Sequence, residues 1–183
     1  MPIRNRLFIP LALSVGVLSA LAAQAQPGSS AALPPTHATT LSGTSMTLPV
    51  LGHPMLLLVG FSRQSGAAAD AGWKQAQPFC AVHPKVACYE VAMLEDAPAF
   101  IRGMIVHGIR SGQPQSKHNQ FAIVVENEAA WKQALQVENT DEATAVLLDA
   151  AGKIAWQTSG DATTLHLDEK ALLGSLATPS TTH

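Results

Sequence analysis

The chain has 183 residues, 47% of them hydrophobic and 13% charged, with a formal net charge of −2 at pH 7. An apolar fraction of that size excludes a disordered chain, and the length suits one folded domain. The mild acidity offers no electrostatic case for nucleic acid or an anionic membrane surface, and neither is expected as a partner.

In chain order, residues 1–25 read as an export signal. Arg4 and Arg6 form its positive start, residues 7–22 its apolar core, and Ala23-Gln24-Ala25 a small-x-small cleavage site. Pro10 and the short core argue against a retained anchor. No later stretch approaches the roughly 18 apolar residues of a membrane span. The processed chain is therefore expected to be periplasmic or secreted, with no direct span after signal cleavage. Residues 26–45 are rich in Ser, Thr, Ala and Pro without an apolar period, which predicts a flexible linker. A folded domain is expected over 46–177 and a disordered tail over 178–183.

Within the domain, Met46-Thr47-Leu48-Pro49-Val50 predicts a short edge strand, because Pro49 cannot donate to a ladder. The continuous apolar run 55–61 predicts a central strand buried on both faces. Ser65 is the expected cap of a helix over 66–79 anchored by Trp73, ended by Pro78 and His83-Pro84. Residues 86–93 predict a second strand. Asp96-Ala97-Pro98 opens a helix in which Phe100, Ile101, Met104, Ile105 and Ile109 recur at helical spacing. Residues 111–119 read as a polar loop, 120–125 as a third strand, and 129–137 as a short helix holding Trp131. An apolar run ending in Asp149, a turn at Gly152 and the segment Lys153-Ile154-Ala155-Trp156-Gln157 predict a β-hairpin. A helix over 167–176 follows. Strands alternating with helices and closed by a hairpin imply an α/β fold: a central mixed sheet with helices on both faces.

Redox-active thioredoxin-like domains carry a Cys-x-x-Cys pair where the first central strand meets the next helix, so that the helix terminus stabilises a thiolate. Here that place reads Phe61-Ser62-Arg63-Gln64-Ser65-Gly66, with no sulfur. A cis-Pro is usual before the penultimate strand, and here the dipeptide is Thr144-Ala145. No catalytic residue is assigned. Ser62, Arg63, Gln64, Ser65 and Thr144 form the candidate functional loop, in which Arg63 beside a helix N-terminus offers a place for a carboxylate.

Residues 46–177 resemble redoxin-related, thioredoxin-like proteins. Among these they are most similar to the mitochondrial ATP synthase assembly-factor family and its bacterial relatives. The resemblance is carried by Leu58-Val59-Gly60-Phe61-Ser62-Arg63 leading to Trp73-Lys74, by Phe100-Ile101-Arg102-Gly103-Met104, and by Leu147-Leu148-Asp149-Ala150-Ala151-Gly152-Lys153-Ile154-Ala155-Trp156 with Ser159-Gly160-Asp161-Ala162-Thr163. It departs from the family pattern at Ala155, where an Arg is usual. The resemblance implies a non-enzymatic helper that binds a protein partner, such as a membrane complex, from the soluble side.

Cys80 and Cys88 are the two cysteines of the chain. In an exported protein they read as a structural disulfide, with free thiols and a redox pair as alternatives. A metal reading needs more ligands than His83 supplies, so neither metal nor cofactor is expected. If the pair is redox-active, the chain is a periplasmic thiol-disulfide oxidoreductase using Cys80/Cys88. No Gly-x-Ser-x-Gly elbow supports a hydrolase. Trp73, Trp131 and Trp156 read as packing residues.

Overall fold

The computed structural model describes residues 26–27 and 31–177; the segment 1–25, expected to be an export signal, and the expected tail 178–183 lie outside the described residues. Among the described residues, eight strands form one sheet: β1 (Gln26–Pro27), β2 (Thr36–Thr40), β3 (Ser45–Leu48), β4 (Met55–Gly60), β5 (Ala87–Met93), β6 (Phe121–Val124), β7 (Ala143–Leu148) and β8 (Ile154–Gly160). Their spatial order is β1-β8-β7-β4-β5-β6-β2-β3. β4, β5 and β6 run parallel, and every other pairing is antiparallel. The helices are α1 (Arg63–Val82), α2 (Ala99–Gly112), α3 (Glu128–Ala134) and α4 (Glu169–Ala177), with a 3-10 turn at Gln115–Gln120. None of them is long and apolar enough to cross a membrane.

Every residue of β4 is buried, as its unbroken apolar run requires of a strand covered on both faces. The strand period of two divides its side chains. Leu57 and Val59 pack with Trp131 and Leu135 on one face. Leu56 and Leu58 pack with Trp73 and Phe79 of α1 and Leu172 of α4 on the other. All three tryptophans are buried, as their packing role demands. α2 lies on the α1 face, with Val106 and Ile109 against Leu41, Phe121 and Ile123.

The β7–β8 hairpin forms as expected. Asp149 Oδ1 accepts from the backbone N–H of Ala151 (2.8 Å) and Lys153 (2.9 Å), and Gly152 supplies the positive φ of 79° that the turn needs.

Four expectations are corrected. The segment expected to be a linker contributes β1 and β2. β2 alternates buried and exposed residues, pairs with β3 and β6, and places Thr36 Oγ1 2.9 Å from the Trp131 indole N–H that donates to it. Threonine is β-branched and suits a pleated, half-buried strand, so its polarity misleads here. α1 begins at Arg63 and continues through Pro78 to Val82. Proline removes one N–H from the ladder. The last turn nevertheless stays on the sheet, because Ala76 and Phe79 are buried there and Cys80 is bonded to β5. Residues 115–120 are a 3-10 turn rather than a plain polar loop, and Lys117 within it is buried. Thr144 is not a turn residue: it lies inside β7, 1% exposed.

Candidate functional site

β4 delivers the chain to α1 through Gly60. A Cβ there would come within 2.9 Å of the Gly66 backbone nitrogen, so only glycine permits this tight strand-to-helix passage. Ser62 then caps α1, not Ser65 as expected. Ser62 Oγ accepts from the N–H of Gln64 and of Ser65, both at 3.1 Å. Ser65, itself fully buried, returns the bond: its Oγ accepts from the N–H of Phe61 and of Ser62, both at 2.8 Å. This is a capping box with serine in the place usually held by Glu or Gln. Ser62 and Ser65 stand at Cys-x-x-Cys spacing with their Oγ atoms 3.3 Å apart. Hydroxyls here fasten the helix and have no disulfide state to cycle through.

The structure brings Ser62, Arg63, Gln64 and Ser65 together, while Thr144 is buried within the sheet, where it pairs with Val59 of β4. Thr144 Oγ1 lies 3.0 Å from Ser159 Oγ across the hairpin. The residue that meets the α1 N-terminus from the loop before β7 is Asp141, whose Oδ1 accepts from Ser62 Oγ at 2.8 Å. A carboxylate of the chain itself thus takes the Ser62 hydroxyl at this helix end. Arg63 and Gln64 stay exposed.

Beside this terminus a cavity of about 570 Å³ opens between α1, α2 and the β5 floor. Phe61, Met93, Leu94, Ile105 and Ile109 make it largely apolar, and Arg63 stands at its edge. Phe100 and Met104 of α2 are 88% and 70% exposed. A volume of this order falls within the range of ligand and side-chain pockets.

Asp70 and Glu90 also line the cavity. Lys117 Nζ lies 2.9 Å from Asp70 Oδ1 and is ion-paired with Glu90, and it sits 5.3 Å from the Trp73 ring centre and 5.6 Å from that of Phe121. Burial pushes the Glu90 carboxyl up to about 7 against the pull of Lys117. Burial raises Asp70 too, but bonds from Lys117 and Lys74 outweigh it and hold that carboxyl down at about 2. At the other end of the groove Lys132 pairs with Asp96 (2.8 Å) and Glu128 (2.7 Å) and lies 5.8 Å from the Phe61 ring centre. The sequence marks Asp96 as a helix start and Lys74 within a motif, but points to none of these charges as a cluster. The available signal was Glu90, placed inward in an otherwise apolar strand.

Cys80 and Cys88 form a disulfide that ties the last turn of α1 to β5, with Cα atoms 6.3 Å apart. Cys80 is half-buried and Cys88 buried. The pair sits at the C-terminal end of α1, where the helix dipole opposes a thiolate and the last turn carries no basic residue. Among the described residues, no group of His, Cys, Asp or Glu is placed to hold a metal ion.

A family model described as ATP10 protein matches residues 24–173. No protein of curated function matches the chain significantly. Solved thioredoxin-like structures do. The exposed lipoprotein thioredoxin Etrx1 of Streptococcus pneumoniae superposes with a TM-score of 0.54 at 12% identity, covering 78% of this chain and 97% of that one. A Chlorobium tepidum protein described as thiol:disulfide interchange protein DsbE gives 0.56 at 16%, covering 84% and 100%. The 2-Cys peroxiredoxin of Plasmodium vivax gives 0.52 at 12%, covering 81% and 79%. At these identities the likeness establishes the thioredoxin-like fold and nothing about activity.

Proposed function

The chain belongs to the ATP10 protein family, and from that premise we propose that it is a non-catalytic thioredoxin-like domain that binds a protein partner as an assembly factor or chaperone-like helper. The partner belongs to a membrane complex, and the domain meets it from the soluble side after export directed by residues 1–25. The observation that carries the reading is the apolar groove beside a thiol-free α1 terminus. The place where relatives of this fold do thiol chemistry keeps its concavity, with Ser62 and Ser65 spent on capping. Phe100 and Met104, exposed on α2, add apolar surface of the kind that marks interaction sites.

Site-specific photocrosslinking tests this. A photoreactive residue at Arg63 or Met104 is expected to capture a membrane-complex subunit, while the same group at Glu169, the first residue of α4, does not. Equal capture from all three positions, or none from the groove, overturns the reading. A second reading, thiol-disulfide exchange at Cys80–Cys88, is favoured by the half-exposed Cys80 and opposed by its place at a helix C-terminus. Insulin reduction that disappears in Cys88→Ser would establish it.

A further inference from the structure

α2 carries six large apolar residues in 14 positions, yet none of its residues is buried. Its inner face spans the cavity, with Ile105 and Ile109 on one wall and Gly66 and Ala67 of α1 on the opposite one. Val106 and Ile109 join only a small cluster beyond it. The polar attachments gather at the helix ends. At the start, Arg102 Nε donates to the Ala97 carbonyl at 2.8 Å within the entry loop. That loop is held to α3, because Glu95 Oε2 accepts from the Glu128 N–H at 2.6 Å and Lys132 pairs with Asp96. At the end, Gln113 Nε2 donates to Asp70 Oδ1 at 3.2 Å, and Lys117 binds the same oxygen while pairing with Glu90. Among the described residues, no side chain within α2 bonds to α1 or to the sheet.

We propose that α2 is a latched lid over the groove, with the Asp70–Lys117–Glu90 cluster as its latch, and that its opening controls access to the partner site. The proposal rests on the partner-binding reading for what enters, not for the lid itself. A docked helix whose apolar residues are only partly covered gains less from burial than α1 does, so its closed state depends more on its ends. The entry loop is the fixed end, anchored to α3. The Asp70 end is the releasable one: Asp70 is partly solvated on the α1 surface, and without it Lys117 still keeps Glu90.

Native-state hydrogen exchange on the full chain, without partner, tests the lid. In the wild type, α2 amides are expected to exchange on the order of a hundredfold faster than α1 amides, by an opening insensitive to low denaturant. Asp70→Asn, and independently Gln113→Ala, are expected to speed α2 exchange by about tenfold, with α2 amides still opening well ahead of those of β4 and α1. α2 exchanging only with global unfolding, or unmoved by both variants, overturns the lid. That result would leave partner binding standing, whereas absent groove crosslinks would leave the lid standing.

Discussion

α1 and α2 lie on the same face of the same sheet and are held by different physics. α1 fully buries Ser65, Ala68, Ala69, Gly72, Trp73, Ala76 and Phe79; α2 buries no residue fully, and its Val106 and Ile109 are only partly covered. Small residues let α1 approach the strands until a Cβ on Gly72 would meet Leu165 and Leu58, so one large anchor, Trp73, fills the remaining space. α2 offers more apolar bulk but stands over a cavity. Apolar composition in a helix does not by itself stabilise it; closeness of approach does.

The contrast is sharpest in substitution energies. Trp73→Ala should cost about 3–5 kcal/mol, read as a urea midpoint shift. Replacing Cys80 and Cys88 by Ser should cost about 2–3 kcal/mol on the chain-entropy view of so short a loop. Lys117→Met should cost less, about 1–3 kcal/mol, because Glu90 takes up a proton once its counter-charge is gone but its carboxyl and that of Asp70 lose their bond to Lys117.

Next comes a pH effect. The Glu90 carboxyl is raised from 4.5 to about 7 in the fold. The neutral form is thus favoured by folding. Its contribution is full below 4.5 and is lost as pH rises through 7. Glu90→Gln should therefore gain stability relative to wild type between pH 4.5 and 8, in urea melts at both ends. Asp70 has the opposite sign. Held at about 2 against 3.8, it contributes above pH 4 and loses that contribution as pH falls toward 2. The smallest effect belongs to α2: Phe100→Ala should change stability by no more than about 0.5 kcal/mol. A loss of several kcal/mol would mean that Phe100 is buried in solution and break the comparison.

The legible parts of the chain were those where one local signal dominates. The run 55–61 could only be a doubly covered strand, and Asp149 with Gly152 could only turn. The absence of sulfur at Ser62–Arg63–Gln64–Ser65 was visible without coordinates. The remainder depended on tertiary partners. Thr36, Ala38 and Thr40 look like linker until Trp131 and β6 give them something to pair with. Lys117 looks solvated until the chain folds it onto Asp70 and Glu90, 47 and 27 positions earlier. Asp141 lies 79 positions from the Ser62 hydroxyl it accepts from. No periodicity encodes contacts of that range.

The central claim is that this domain acts by its groove and not by its sulfurs. The most direct test follows capture of the proposed membrane-complex partner by a photoreactive group at Arg63 in two backgrounds matched for abundance. In Met104→Asp, which puts a charge on the exposed apolar surface of α2 next in sequence to groove-lining Ile105, capture should fall to background. In Cys80→Ser with Cys88→Ser it should persist. Capture that survives Met104→Asp and vanishes with the cysteines would contradict the account.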